Sequence, residues 1–154
     1  MGEVKESKVA IVTGAASGIG AALTRHLIDN NHLVLGADIN SAKLNALEED
    51  TGCATIVGDI SNEEFNQAVA SLANELFGRL DHVFLNAGIL GRNIELQGTE
   101  FKINDLEQAR YQKTRSINFD AVVFGTAATS PYLTSTGGGS ILVTASIAGL
   151  TAWN

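Results

Sequence analysis

The chain has 154 residues, 45% hydrophobic and 18% charged, a globular balance sized for one domain. A net charge of −7 and a sequence pI of about 4.8 argue against nonspecific binding to nucleic acid or anionic lipid. No apolar run approaches the ~18 residues of a membrane span, Met1 to Lys8 lacks a signal peptide's apolar core, and the single Cys53 neither closes a disulfide nor sits in a metal-ligand spacing. We therefore expect a cytoplasmic protein without a metal site.

Lys8 to Thr13 (KVAIVT) is a short β-branched run and predicts a buried strand. Gly14 to Gly20 is a glycine-rich turn. Ile19, Leu23 and Leu27, with Ile28 beside them, fall at helical spacing and predict a helix over Ile19 to Asn30. His32 to Ala37 predicts a second strand, closed by Asp38. Ser41 to Asp50 predicts a helix with Ser41 as its N-cap. Ala54 to Val57 predicts a third strand, followed by Gly58-Asp59. Ser61, with Glu64 three residues on, has the form of a capping box for a helix reaching about Phe77. Leu80 to Leu85 predicts a fourth strand. Ile89 to Ile103 reads as a polar surface loop. Asn104 to about Ser130 predicts one long helix ended by Pro131. Gly137-Gly138-Gly139 predicts a turn, and Ser140 to Ala145 a fifth strand. His26, His32 and His82 are scattered without ligand or acid–base spacing, and Trp153 reads as a core or edge aromatic. Buried strands alternating with helices imply the α/β class, a doubly wound parallel sheet covered on both faces, in a single domain over residues 1–154.

Thr13-Gly14-Ala15-Ala16-Ser17-Gly18-Ile19-Gly20 lies between the first strand and the first helix, the context that gives a glycine string meaning. Gly14 permits the tight turn, Gly18 lets backbone approach a pyrophosphate, and Gly20 allows close helix–strand packing. The helix N-terminus offers free N–H groups to phosphate. Asp38, at the end of the second strand, has the chemistry to accept hydrogen bonds from ribose hydroxyls and to repel a 2′-phosphate. No Arg or Lys occupies Ala15 to Gly18 or Ile39 to Ser41, so NAD is favoured over NADP. A cap role for Asp38 on the following helix is the alternative.

The TGAASGIG spacing resembles the TGxxxGxG loop of the short-chain dehydrogenase/reductase family. The resemblance runs on in order along the chain. Asp38 is similar to that family's ribose-binding acid, and Asp59 to its adenine-contacting residue, with Ile60 beside it. Asn86-Ala87-Gly88 resembles its NAG motif, Asn118 its active-site asparagine, and Ser146 in Thr144-Ala145-Ser146-Ile147-Ala148-Gly149 its serine. The resemblance implies a Rossmann fold with five of the usual seven strands present. It also implies an NAD-binding set of Gly14, Ser17, Gly18, Ile19, Gly20, Asp38, Asp59, Ile60, Asn86, Ala87 and Gly88. The chemistry it implies is hydride transfer between the nicotinamide and a small alcohol or ketone. Ser146 would hydrogen-bond the substrate oxygen, and Asn118 would help hold a proton-relaying water.

In such relatives a tyrosine, with a lysine four residues on, passes the proton. Tyr111 is followed at that distance by Arg115 and precedes the serine. Tyr132 is followed by Thr136. The family's tyrosine is expected about a dozen residues beyond the serine as general acid or base, hence past Asn154. An unpaired apolar fifth strand also favours a truncated parent, inactive in this piece and homo-oligomeric when whole. Two other classes stay open: a non-catalytic NAD-binding module, and a methyltransferase-type Rossmann domain, against which the TGxxxGIG spacing and Asn86-Ala87-Gly88 argue.

Overall fold

A computed structural model describes residues 7–91 and 107–150. Five parallel strands form one sheet in the order β3-β2-β1-β4-β5: β1 Val9–Thr13, β2 Leu33–Asp38, β3 Ala54–Val57, β4 His82–Leu85 and β5 Ser140–Val143. β1 is central, pairing Ile11 with Leu35 of β2 and with Val83 of β4. Its residues alternate between two buried faces. Val9 and Ile11 pack with Val69, Ala73 and Leu133, whereas Ala10 and Val12 pack with Leu27, Leu44 and Leu47. Burial on both faces explains why the strand is apolar throughout rather than alternating.

Helices α1 (Gly18–Asp29) and α2 (Ser41–Thr51) supply one covering layer, and α3 (Glu63–Phe77) contributes to the other. That second layer continues in α4 (Gln108–Arg115), a π-helical turn at Ser116–Asp120, and α5 (Ala121–Ser135). The chain runs outward from β1 to β3, then returns through α3 to β4 on the other side of β1. This reversal opens a crevice at the carboxyl ends of β1 and β4, where open α/β sheets bind ligands.

Several local expectations change. Ile19, aligned with the apolar stripe of α1, is 67% exposed, and Gly20, Thr24 and Leu27 face the sheet instead. The helix cap of α2 is Asn40, whose Oδ1 accepts from the Lys43 N–H at 3.0 Å, so Ser41 is already helical. The cap of α3 is Asn62, accepting from the Phe65 N–H at 3.0 Å, whereas the Ser61 N–H donates to Asp59. In both cases an asparagine one residue away competes on equal terms with serine.

Pro131 does not end the long helix; α5 continues to Ser135. The ring's fixed φ suits a helix, and the lost N–H is outweighed by burial of the next two residues: Leu133 is 7% exposed and Tyr132 packs on the same core. β5 stops at Val143, short of Ala145. β4 ends at Leu85, whose carbonyl accepts the last bond of the pair from the Thr144 N–H (3.1 Å), so the pairing reaches no further. β5 forms an edge of the sheet, with Leu142 and Val143 half-exposed. Most of the Ile89–Ile103 loop, the start of the long helix before Glu107, and Trp153 lie outside the described residues.

At the amino ends of the strands, buried Asp81 accepts from the Val9 N–H (2.9 Å), from Lys8 Nζ (2.9 Å) and from the Arg79 guanidinium (2.8 Å). Burial alone would raise its pKa. The Arg79, Val9 and Lys8 donors outweigh that and hold the carboxyl well below the usual range. Beside it, His32 and His82, far apart in sequence, bring their ring centroids to 6.1 Å.

Candidate functional site

A cleft of about 750 Å³ lies across the carboxyl ends of the strands. Gly14 opens its floor in a left-handed conformation (φ +69°), and its N–H donates to the Ala37 carbonyl at 2.8 Å, strapping the turn to β2. A Cβ at Gly14 would stand 2.9 Å from the Ala87 Cα. Gly20 does not line the cleft. It lies beneath the turn, where a Cβ would overlap the Gly14 carbonyl. Close packing, rather than contact with a ligand, therefore explains that glycine. Gly18 (φ +51°) has open space before it, and Ser17, the N-cap, makes no side-chain cap bond. The first N–H groups of α1 are thus left to the cleft, with the positive end of the helix dipole behind them.

Asp38 extends from the end of β2. Its Oδ2 accepts from the Ala16 N–H (3.0 Å) and its Oδ1 from the Asn40 N–H (2.9 Å). It does not cap α2, a task taken by Asn40. A carboxylate oxygen accepts more than one donor, so both oxygens retain capacity for hydroxyls in the cleft. Asp59 and Ile60 follow β3 on the same wall, and the Asp59 Oδ1 accepts from the Ser61 N–H at 2.9 Å. Buried Asn66 pins this loop, donating to the Ile60 and Asn62 carbonyls at 2.7 Å each. Exposed Ile19 and Ile39 add apolar surface at the mouth.

Asn86-Ala87-Gly88 follows β4 directly. Thr13 Oγ1 accepts from the Asn86 N–H (3.0 Å) and the Ala87 N–H (3.2 Å). Asn86 Nδ2 donates to the Thr13 carbonyl (3.2 Å), and Asn86 Oδ1 accepts from the Thr144 hydroxyl (2.9 Å). Thr13, Asn86 and Thr144 thereby tie β1, β4 and the end of β5 together under the cleft. Asn118 sits in the π-helical turn. Its Oδ1 accepts from the Ile89 N–H and its Nδ2 donates to the Ile89 carbonyl, both at 2.9 Å. The side chain is a two-point clamp on the segment after Gly88. Ser146 lies beyond β5, exposed on the same cleft.

The cleft therefore gathers every sequence-predicted site residue except Gly20, which supports it from below. Neither Tyr111 nor Tyr132 lines it. Sequence reading missed Thr144, Asn66, Ile117 and Lys113. Lys113 stands five residues before Asn118, off its face in a regular α-helix, so a helical projection through Asn118 does not find it; Ile117 is the chain neighbour of Asn118, and both reach the cleft through the π-helical turn region. Thr144 and Asn66 act through partners distant in sequence or through backbone, and carry no sequence signal. Among the described residues no group of acids, histidines and cysteine is placed to hold a metal ion. No helix there is long and apolar enough to cross a membrane.

Comparison with known proteins matches this geometry. Residues 8–154 fit the family model described as short chain dehydrogenase. The chain is 28% identical to 3beta-hydroxysteroid dehydrogenase 2 of Eggerthella lenta, over 97% of its own length and 57% of the relative's. It is 34% identical to cyclohexanol dehydrogenase of an Acinetobacter species, over 94% of its length and 57% of that protein's. The crystal structure of levodione reductase superposes with a TM-score of 0.84 at 28% identity, covering 96% of this chain and 57% of that one. The chain thus spans somewhat more than half the length of these relatives. A parallel sheet with its glycine turn, a clamped asparagine and a post-strand serine on one cleft, and a family match running almost end to end, make this chain a member of the short-chain dehydrogenase family of oxidoreductases.

Proposed function

We propose that this chain is the NAD-binding part of an oxidoreductase that moves a hydride between NAD and a secondary alcohol or ketone. The observation that carries the reading is the cleft itself, with Asp38, the open Gly18 turn, Asn118 and Ser146 on its walls. The residues fit the cofactor: Gly14 and Gly20 leave no room for a Cβ, Gly18 leaves space, and Asp38 keeps acceptor capacity. Gly14, Ser17, Gly18 and Ile19 would hold the diphosphate. Asp38 would take the ribose hydroxyls, Asp59 and Ile60 the adenine, and Asn86, Ala87 and Gly88 the nicotinamide side. When bound, NAD supplies the hydride acceptor and donor. Ser146 donates its hydroxyl hydrogen to the substrate oxygen, and Asn118 holds the Ile89 segment that borders it and helps hold the relay water. Residues 1–154 hold no tyrosine with a lysine four residues on to pass the proton, so they are expected to be inactive by themselves.

The names of the relatives, a hydroxysteroid, a cyclohexanol and a levodione enzyme, favour a cyclic substrate. The lone buried thiol of Cys53 fits a reducing cytoplasm. The exposed Tyr111, Phe119 and Val123 of the α4–α5 segment support self-association of the whole protein. The test is a fluorescence titration with NADH and NADPH. NADH is expected to bind at least about tenfold more tightly, a difference of ~1.4 kcal/mol, and Asp38→Ser to remove most of that preference. Equal affinity for both in the unaltered chain would sink the NAD reading. A non-catalytic NAD-binding module is the second reading, favoured by the absence of both tyrosines from the cleft. Hydride transfer from cyclohexanol by the protein isolated from its source would eliminate it.

A further inference from the structure

Three cations stand on α4. The Arg110 Nε lies 3.9 Å from the Glu107 carboxylate, and the Arg115 guanidinium holds Asp120 at 3.1 Å. Lys113 has no carboxylate within bridging distance among the described residues, and of the three it is the one that lines the cleft. Its place is the wall built by Ile117, Asn118, Ile89 and Leu90, on the β4 side. The acids of the cleft, Asp38 at the end of β2 and Asp59 after β3, lie toward the other edge of the sheet. The cleft is therefore polarised, acidic at one end and cationic at the other. In a chain of net charge −7 the surface at large repels anions, which makes an ammonium in a concave wall, without a carboxylate partner among the described residues, the favoured place for one.

We propose that Lys113 is a specificity-determining residue that holds a carboxylate of the substrate, so that the protein acts on a hydroxy acid or keto acid with an apolar body. The inference rests on the oxidoreductase reading above and narrows its substrate. Ile117, Leu90 and Val122, which line the same cleft as Lys113, suit the hydrocarbon between the carboxylate and the carbonyl. The carbonyl end is then directed toward Ser146. The anion belongs to the substrate rather than to the cofactor, because the glycine turn and the start of α1 already provide for the diphosphate.

The experiment uses the whole 154-residue chain. NADH affinity is measured first by fluorescence. The chain saturated with NAD is then titrated with 4-oxocyclohexanecarboxylate and with its methyl ester, a neutral ketone of similar shape. NAD and ketone are both oxidised, so the complex forms without turnover. The acid is expected to bind up to about fivefold more tightly than the ester at low salt, the scale of one exposed charge pair. The preference should shrink as salt is added. Lys113→Gln is expected to equalise acid and ester while leaving NADH affinity unchanged, and Lys113→Arg to keep the preference. Equal binding of acid and ester by the unaltered chain, or a preference that survives in Lys113→Gln, overturns the proposal. So does a loss confined to NADH affinity, which would assign the ammonium to a cofactor phosphate. If NADH itself fails to bind, the oxidoreductase reading falls as well, and the first titration reads that failure separately.

Discussion

At the scale of single residues, the site depends on a few positions where backbone geometry leaves no choice. Gly14 combines a positive φ of 69° with a neighbour, the Ala87 Cα, 2.9 Å from where a Cβ would stand. Gly14→Ala is expected to destabilise the fold by about 1–3 kcal/mol, because the strained backbone and the clash must both be relieved. Urea unfolding measures the first effect, and an NADH titration should show weakened binding as the turn lifts from the Ala37 carbonyl. Thr144→Val tests the tie between strands. Removing the hydroxyl that donates to Asn86 Oδ1 should cost about 1 kcal/mol and loosen the cleft floor without altering the core. An unchanged midpoint would show that the bond contributes nothing net. These two positions also mark what sequence conveys at this scale. Gly14, Gly18, Gly20 and Asp38 were legible because turn and helix entry are local chemistry, readable from spacing. Thr144 was not, because its partner Asn86 is brought to it only by the pairing of β4 with β5.

At the scale of elements, helix boundaries depend on competition between neighbours. Asn62→Ala is expected to destabilise by about 1 kcal/mol through loss of the acceptor for the Phe65 N–H, whereas Ser61→Ala should stay within about 0.5 kcal/mol. The reverse order in a denaturation series would restore the capping box expected from Ser61 and Glu64. Pro131→Ala gives α5 back a backbone donor in its interior and is expected to stabilise by up to about 3 kcal/mol. The existence and order of the strands and helices were legible from apolar runs and their periods. The run of the long helix past Pro131 was not, because it depends on Leu133 and Tyr132 meeting a core assembled from β4, β5 and α3. The π-helical turn at Ser116–Asp120 left no mark in composition either. It is known by what it accomplishes, the aim of Asn118 at the Ile89 backbone. Ile19 shows the opposite error, an apolar residue on the predicted stripe that serves the cleft mouth instead of the core.

At the scale of the whole molecule, the two ends of the sheet divide the work. The carboxyl ends carry the cleft, and the amino ends are fastened by charge around Asp81 and by the His82–Ser140 hydrogen bond (2.9 Å). Both fastenings respond to acid in the same direction. Burial lowers the His82 pKa below its ordinary value of 6.5; nearby Asp81 opposes that shift, while His32 and Lys8 add to it. The folded chain therefore binds the His82 proton less readily than the unfolded chain. The stability it contributes is in place above about pH 6.5 and declines as pH falls through that value. Asp81 lies below its ordinary 3.8, so its contribution is in place above that value and is lost as pH falls further. Unfolding midpoints in urea, tracked from pH 8 to pH 3, should fall in two stages. His82→Gln is expected to flatten the upper stage alone. Asp81→Asn should lower stability by about 1–3 kcal/mol at neutral pH, since Arg79 and Lys8 lose the shared negative charge and one of its two acceptor oxygens, and should flatten the lower stage. A single-stage profile that neither substitution alters would mean that the amino ends are held by packing and backbone pairing, with charge contributing nothing to the pH response.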